Sequence, residues 1–576
     1  MAFLPFLETI TRLLNINGIP ASQILVQHFT LWIGFLGAVF AARENKLLAL
    51  TRDSIFQKEQ KINFGRWVAK LTTFVVLVSL TWGSYELIKV EMEYPIDIAP
   101  HISRWFAQII MPIGFGLMAI HILFNSYKKY FHNMILVIIC FLLSMNGVTE
   151  MIADLFPVII IGILILIISI FYGAPIFVGL GGLAILLFWS DYTPISAIPA
   201  EAYRIVVSPT LPTIPLFTMA GYLLAESRAS ERLVNVFQEM FGWIPGGTPV
   251  IIILLCGFFT ALTGGSGVTI LALGGLLLPM LIKDGYSRSF SLGLITVSGS
   301  IGLLFPPSLP LIIYGVTAGV SVKDVFIAGL LPGLVLIIFI STWSVFQGRK
   351  NKISLKRFVP EKALRVCWET KWELLLPLLI LFGVFGGYTT LVETAAITVL
   401  YVLIIEVYVY KDIRVKHIPH IMKECTTLIG GVLIILGVAM GLTSYLVDAQ
   451  IPMIILSWAK TTIVSKYVFL FLLNVFLLVV GCLMDIFSAI IVIVPLIAPL
   501  GSHFGIEPVH LAIIFIANLE LGFLTPPVGM NLFLSAYRFN EDMPRIYKAT
   551  FPFFIIKLFV VGIITYFPFL TLFLFK

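Results

Sequence analysis

GLLFPPS (302–308) and GFLTPPV (522–528) are the same device written twice, 220 residues apart. Pro279, Gly285, Gly302, Leu304, Pro306 and Pro307 recur without a gap as Pro499, Gly505, Gly522, Leu524, Pro526 and Pro527. Each copy puts a proline pair at the end of an apolar run. Proline has no N–H and clashes with the preceding helical turn, so the helix stops there. In water that would mark an ordinary turn. Inside hydrocarbon, open backbone is tolerated only where protein buries it or it lines a cavity. Breaks at matching places in two halves of a chain point to the binding site of a secondary transporter.

The surrounding sequence is that of a membrane protein. Hydrophobic residues make up 59% and charged residues 12% of 576, and the mean hydropathy is +1.04. A soluble domain carries roughly 25% charged residues. Apolar runs near the ~20 residues that span hydrocarbon occur at 67–85, 104–124, 133–148, 156–171, 324–346, 372–387 and 548–575. The expected fold is all-α and polytopic. No polar stretch is long enough for a membrane-anchored soluble enzyme.

The net charge of +7 gathers in connectors. Arg43, Lys46, Arg52, Lys58, Lys61, Arg66 and Lys70 form one basic cluster, and Lys128 and Lys129 a second. A third runs from Arg349 to Lys371, whereas Glu91, Glu93 and Asp97 make the loop between the first two acidic. The positive-inside rule puts the basic connectors in the cytoplasm and 90–102 outside. Nucleic acid is not implied. Cys140, Cys256, Cys367, Cys425 and Cys482 have no metal-ligand or redox spacing and read as packing residues.

Five zones follow: 1–125, with about three spans and no relation to the duplication; 126–155, a connecting membrane segment; 156–348, the first copy; 349–371, a basic cytoplasmic linker; and 372–576, the second copy. Residues 1–14 are too short to span and lack signal-peptide features. They read as an interfacial segment or as the tail of a helix whose beginning lies outside this chain.

Each copy has a second interruption upstream of its proline pair. Thr263-Gly-Gly-Ser-Gly267 cuts the run 257–279, and the 220-residue offset puts Gly265 opposite Asp485 within 479–495. Both read as re-entrant hairpins, near 257–279 and 477–499, whose arms are too short to cross comfortably. An odd number of crossings per copy would invert one copy relative to the other.

Hydroxyls and carbonyls at such tips suit a small hard cation, because a broken helix exposes oxygen ligands without a second buried charge. Thr263 and Ser266, with carbonyls around Gly302, Phe305 and Pro306, form one candidate cage; Thr525, with carbonyls around Gly481, Gly522 and Val528, forms its counterpart. The blander reading of any such hydroxyl is a bond back to its own helix. Acidic residues at membrane depth are few, and three stand out: Asp485 at the second tip, Glu520 just before the second break, and Glu393 after a Gly-Gly-Tyr-Thr-Thr turn. An intramembrane carboxylate costs at least about 2.5 kcal/mol on insertion scales, so function is its default reading. Asp485 is the first candidate for substrate or ion contact; Glu520 and Glu393 could each instead serve a helix end. No H-E-x-x-H, P-loop or G-x-S-x-G is present, so neither an enzyme nor an ATP-driven pump is indicated.

IPLFTMAGYLL (214–224), TGGSGVT (263–269), VETAAITVLY (392–401), GCLMDIFSAIIVIVPLIAPL (481–500) and NLELGFLTPPVGMNLF (518–533) resemble the large, M-like subunit of tripartite ATP-independent periplasmic (TRAP) transporters over about 156–576. LWIGFLGAVFAARENKLLAL (31–50) and MPIGFGLMAIHIL (111–123) resemble the small, Q-like subunit, so the chain looks like a fused permease. The resemblance implies two inverted-topology repeats, an elevator mechanism in a bacterial inner membrane, and Na+ as coupling ion. It also implies a small carboxylate delivered by a periplasmic substrate-binding protein. By motif it assigns Thr263, Ser266, Gly302, Phe305 and Pro306 to one sodium cage and Gly481, Gly522, Thr525 and Val528 to the other. Ser308, Asp485, Gly265 and Ser266 fall where substrate is expected. The tip departs from the family in reading Thr-Gly-Gly-Ser, with one hydroxyl fewer. The alternative is a stand-alone sodium/dicarboxylate or citrate symporter, against which the extra N-terminal helices argue.

Overall fold

Runs of Leu, Ile and Val without interior breakers fold as helices almost throughout. The computed structural model describes residues 1–16, 18–19, 21–44, 46–47, 59–100, 102–126, 156–244, 247–350, 358–463, 465–526 and 529–575. The connector 127–155, most of the first basic loop and residues 351–357 lie outside the described residues, as do Cys140, Pro527 and Val528. Among the described residues, nine helices are long and apolar enough to cross a membrane. The one small sheet among the described residues pairs β1 (Asp97–Ala99) antiparallel with β2 (Ile102–Ser103), Asp97 opposite Ser103. The fold is thus all-α and polytopic.

The chain forms two compact units, one of residues 3–215 with 422–454 and one of 216–421 with 455–576. This partition crosses the sequence zones: helices from both duplicated copies join the N-terminal region in the first unit. There the helices Ser22–Arg43 and Ile418–Asp448 touch backbone to backbone. A Cβ at Gly37 would meet Gly430 Cα at 3.1 Å, and one at Gly34 would meet Leu433 Cδ1 at 3.1 Å. Lys46 Nζ pairs with Glu424 at 2.9 Å, and Glu44 with Lys423, at the end of this crossing. The N-terminal residues form a separate short helix, Phe3–Leu13, whose Glu8 Oε2 accepts from Ser22 Oγ at 2.6 Å.

The second unit contains both interruptions of each copy. Hairpin A has arms Gly247–Thr263 and Ser266–Lys283; hairpin B has arms Lys466–Leu483 and Ile486–His503. The arms are longer than the sequence reading of 257–279 and 477–499 expected. An 18-residue second arm is ~27 Å long at 1.5 Å per residue, just under the ~30 Å hydrocarbon thickness. The prolines inside the arms, at 279, 495 and 499, do not end them. Broken helix A runs Arg288–Ile301, a 3-10 turn Gly302–Leu304, then Leu309–Ala318, with a 43° bend. Broken helix B comprises Pro508–Gly522 and Met530–Phe539. Both breaks thus stand where the proline pairs put them.

The packing exchanges partners between copies. Each first arm lies on the front half of its own broken helix, whereas each second arm lies on the rear half of the other copy's: Ser266–Lys283 on Met530–Phe539, and Ile486–His503 on Leu309–Ala318. The helix Met543–Tyr566 packs on the front halves of both broken helices. The apolar run 548–575 is not one continuous helix. It stops at Tyr566, and Pro568 precedes a separate short turn Phe569–Leu572, since proline cannot continue the ladder.

Candidate functional site

The two breaks are built alike. A Cβ at Gly302 would lie 2.6 Å from Ala261 N and 2.7 Å from Thr260 Cβ of hairpin A. A Cβ at Gly522 would lie 2.6 Å from Gly481 C of hairpin B, and one at Gly481 only 3.0 Å from Leu519 Cα. Ala261 and Gly481 are themselves 220 residues apart. The glycines therefore let each broken helix touch the end of its own hairpin arm through backbone, immediately beside the tip.

At tip A, Gly264 has φ +67° and faces Leu309, which a Cβ would overlap. This left-handed residue turns the chain so that Ser266 starts the second arm, with Gly265 as its extended N-cap. Ser266 Oγ donates to Asn531 Oδ1 at 2.7 Å, and Asn531 Nδ2 reaches Thr296 O at 3.4 Å. Tip A is thereby bonded to the rear half of broken helix B and, through Asn531, to the front half of broken helix A. Behind it Thr260 Oγ1 donates to Gly299 O at 2.8 Å and bonds Thr269 Oγ1 at 2.7 Å. Thr263 Oγ1 donates to Phe259 O at 2.9 Å, the bond back to its own helix.

The first break uses its own carbonyls sparingly. Gly302 O accepts from Phe305 N at 3.1 Å, and Phe305 O from Ser308 N at 3.0 Å; the Pro306–Pro307 peptide is cis. Ser308 is the N-cap of Leu309–Ala318 but makes no capping bond. Its Oγ is fully buried and has no hydrogen-bond partner among the described residues.

At the second break Gly522 O accepts from both Thr525 N, at 3.0 Å, and Thr525 Oγ1, at 2.5 Å. Both of its lone pairs are used, so this carbonyl is the least available of the expected ligands. Cys482 Sγ donates to Pro526 O at 3.1 Å, and Gly529 N to Cys482 O at 3.3 Å, tying the segment after the break to arm Lys466–Leu483. Val528 lies outside the described residues.

Asp485 caps the second arm of hairpin B. Oδ1 accepts from Phe487 N at 3.0 Å and Ser488 N at 3.1 Å, and Oδ2 from Ser488 Oγ at 2.5 Å. Glu393 serves a helix end: it forms a capping box with Thr390, accepting from Thr390 N at 2.7 Å. Glu520 is ion-paired in the interior with Lys557, whose Nζ also donates to Ser300 Oγ at 2.9 Å. Lys557 and Asn531 escaped the sequence reading. A lysine inside the run 548–575, and an amide two residues after Gly529, were the signals.

Among the described residues no three His, Cys, Asp or Glu side chains group so as to hold a metal. A cation at the breaks would meet hydroxyl and carbonyl oxygens instead. Thr263 and Ser266 spend their protons on protein acceptors, which leaves their oxygens free to face a cation. Gly302 O and Phe305 O each keep one lone pair beyond the backbone bond they accept. At the second break Thr525 Oγ1 likewise gives its proton to Gly522 O, which leaves its oxygen free while Gly522 O is spent.

Known proteins are similar to this chain along most of its length. Residues 161–570 match the family "Tripartite ATP-independent periplasmic transporter, DctM component", and residues 1–132 match its DctQ component. The chain is 29% identical over 566 residues to the isethionate TRAP transporter permease protein DctMQ of Oleidesulfovibrio alaskensis, covering 96% of this chain and 88% of that one. It is 31% identical over 389 residues to the C4-dicarboxylate TRAP transporter large permease protein DctM of Pseudomonas aeruginosa, 67% of this chain and 91% of that one. It is 29% identical over 367 residues to the ectoine/5-hydroxyectoine TRAP transporter large permease protein UehC of Ruegeria pomeroyi, 63% of this chain and 86% of that one. The chain belongs to the tripartite ATP-independent periplasmic transporter family, as a multi-pass inner-membrane permease carrying the DctQ and DctM components in one polypeptide.

Proposed function

We propose that this permease imports a small organic anion, received from its periplasmic substrate-binding protein, in symport with sodium at the two breaks. The observation that carries the reading is Ser308: a fully buried hydroxyl without a protein partner, at the N-terminal end of a half-helix. A helix N-terminus carries about half a positive charge and free N–H groups, and so favours an oxyanion. Buried polar atoms are otherwise satisfied in nearly all cases. A carboxylate seated there would supply the missing partner. The relatives are named for isethionate, a C4-dicarboxylate and ectoine, so a carboxylate stands here as the first choice within a broader class.

Sodium coupling is supported by the spent hydroxyl protons of Thr263 and Ser266 and by the spare carbonyl lone pairs of Gly302 and Phe305. Asp485, already a cap, is suited by its charge to the cation rather than to an anionic cargo. An elevator-type displacement is supported by the gathering of both hairpins and both broken helices in one unit. Residues 1–125 would act as the small-subunit part, and 156–348 and 372–576 as the paired repeats.

The test is uptake by proteoliposomes containing the full chain, with its binding protein outside and a sodium gradient imposed. Uptake should need both. Equal uptake with potassium replacing sodium ends the coupling reading, and efficient uptake without the binding protein favours the stand-alone symporter.

A further inference from the structure

Lys557 projects from helix Met543–Tyr566 into the interior and is 1% exposed. Its ammonium holds Ser300 Oγ at 2.9 Å and is paired with Glu520 Oε1. Ser300 and Glu520 are equivalent positions of the duplication, each two residues before the glycine of its break. The residue matching Lys557 in the first copy is Ile337, so the cross-link is made from one side only. Glu520 Oε2 is buried and has no hydrogen-bond partner among the described residues.

We propose that Lys557 is a positioning residue that locks the two breaks in one register, so that a cation at either break changes affinity at the other. The inference rests on the sodium reading above. Three physical points carry it. A buried ion pair is often no more stabilising than apolar residues of the same volume, so stability alone does not account for this one. The ammonium lies within a turn of two helix C-termini, whose partial negative charge favours it there. It also touches both helices at matched positions, so a shift of one break against the other must lengthen a bond to Nζ. Coupling between two sites needs a shared element that both bias, and here that element is a single side chain.

The probe is sodium chloride itself, titrated against the thermal unfolding of the purified full chain, with choline chloride holding ionic strength constant. Wild-type protein should be protected by sodium with a Hill slope above one. The double variant Lys557→Met/Glu520→Met keeps volume and neutrality. It should fold but show a slope near one and a midpoint raised by at least about 5-fold, the lower end of typical coupling. Ser300→Ala leaves the ion pair whole and cuts only the link to broken helix A. It should also lose the slope, and it decides the matter if the double variant does not fold. A sodium-protected wild type whose slope the variants reproduce overturns the bridge alone. A wild type that sodium does not protect overturns the sodium reading and the bridge together.

Discussion

Ser300 and Glu520, 220 residues apart, stand at the same place in the two copies and share one ammonium, that of Lys557. The duplication has therefore diverged at its centre: one copy offers a hydroxyl, the other a carboxylate, and a third helix supplies the charge between them. Glu520 and Glu393, two of the acidic residues picked out at membrane depth, are bonded to a lysine and to a helix end; Asp485 is bonded to a helix end as well, but at a tip.

Removing the ammonium alone should be costly. Lys557→Met leaves Glu520 charged and unpaired in the interior, which costs about 3–5 kcal/mol. Thermal unfolding in detergent should show the loss, and adding Glu520→Met should recover most of it.

The glycines of the breaks should behave as a matched pair. Gly302→Ala and Gly522→Ala push a Cβ to 2.2 Å and 2.6 Å, respectively, from backbone of the adjacent arm. Over-packing of this kind costs about 1–3 kcal/mol, and uptake should fall in both. Gly562→Ala, with nothing within 4 Å, serves as the control. It should be neutral or gain up to about 1 kcal/mol, from helix propensity.

Ser266 and Asn531 should be coupled. Asn531→Ala leaves the buried Ser266 hydroxyl without its acceptor, at a cost of about 1–3 kcal/mol. A double-mutant cycle with Ser266→Ala should return an interaction energy of about 0.5–3 kcal/mol. Additive effects would show that the 2.7 Å contact does not hold tip A in place.

Asp485 separates its two duties by substitution. Asparagine caps a helix about as well as aspartate, while alanine costs about 0.5–2 kcal/mol. Asp485→Asn should therefore keep wild-type stability yet need more sodium for half-maximal uptake, and Asp485→Ala should lose both. Unchanged sodium dependence in Asp485→Asn would reduce the residue to a cap.

Outside the spanning segments, Lys423 and Lys46 hold the Glu44 carboxyl down at about 2, below its ordinary 4.5. A depressed carboxylate contributes stability that is complete above about 4.5 and is lost as pH falls toward 2. The Tm difference between wild type and Glu44→Gln should be flat at neutral pH and shrink across that acid window. Because both lysines are exposed, it should also shrink in 1 M salt.

The sequence by itself determined the helical class, the membrane, the four interruptions and their spacing. Each is written locally, in runs of apolar residues and in the Gly, Pro or capping Asp485 that interrupt them. Hydropathy did not show that Pro568 divides the run 548–575, and the hairpin arms are longer than the interrupted runs alone indicated. Only the tertiary structure decided which partner each of several polar residues at depth meets. Ser266 finds Asn531 at a separation of 265 residues, Lys557 finds Ser300 at 257, and residues 422–454 join the first unit. Such partners are chosen by which helix faces meet, and no local period in the chain records that.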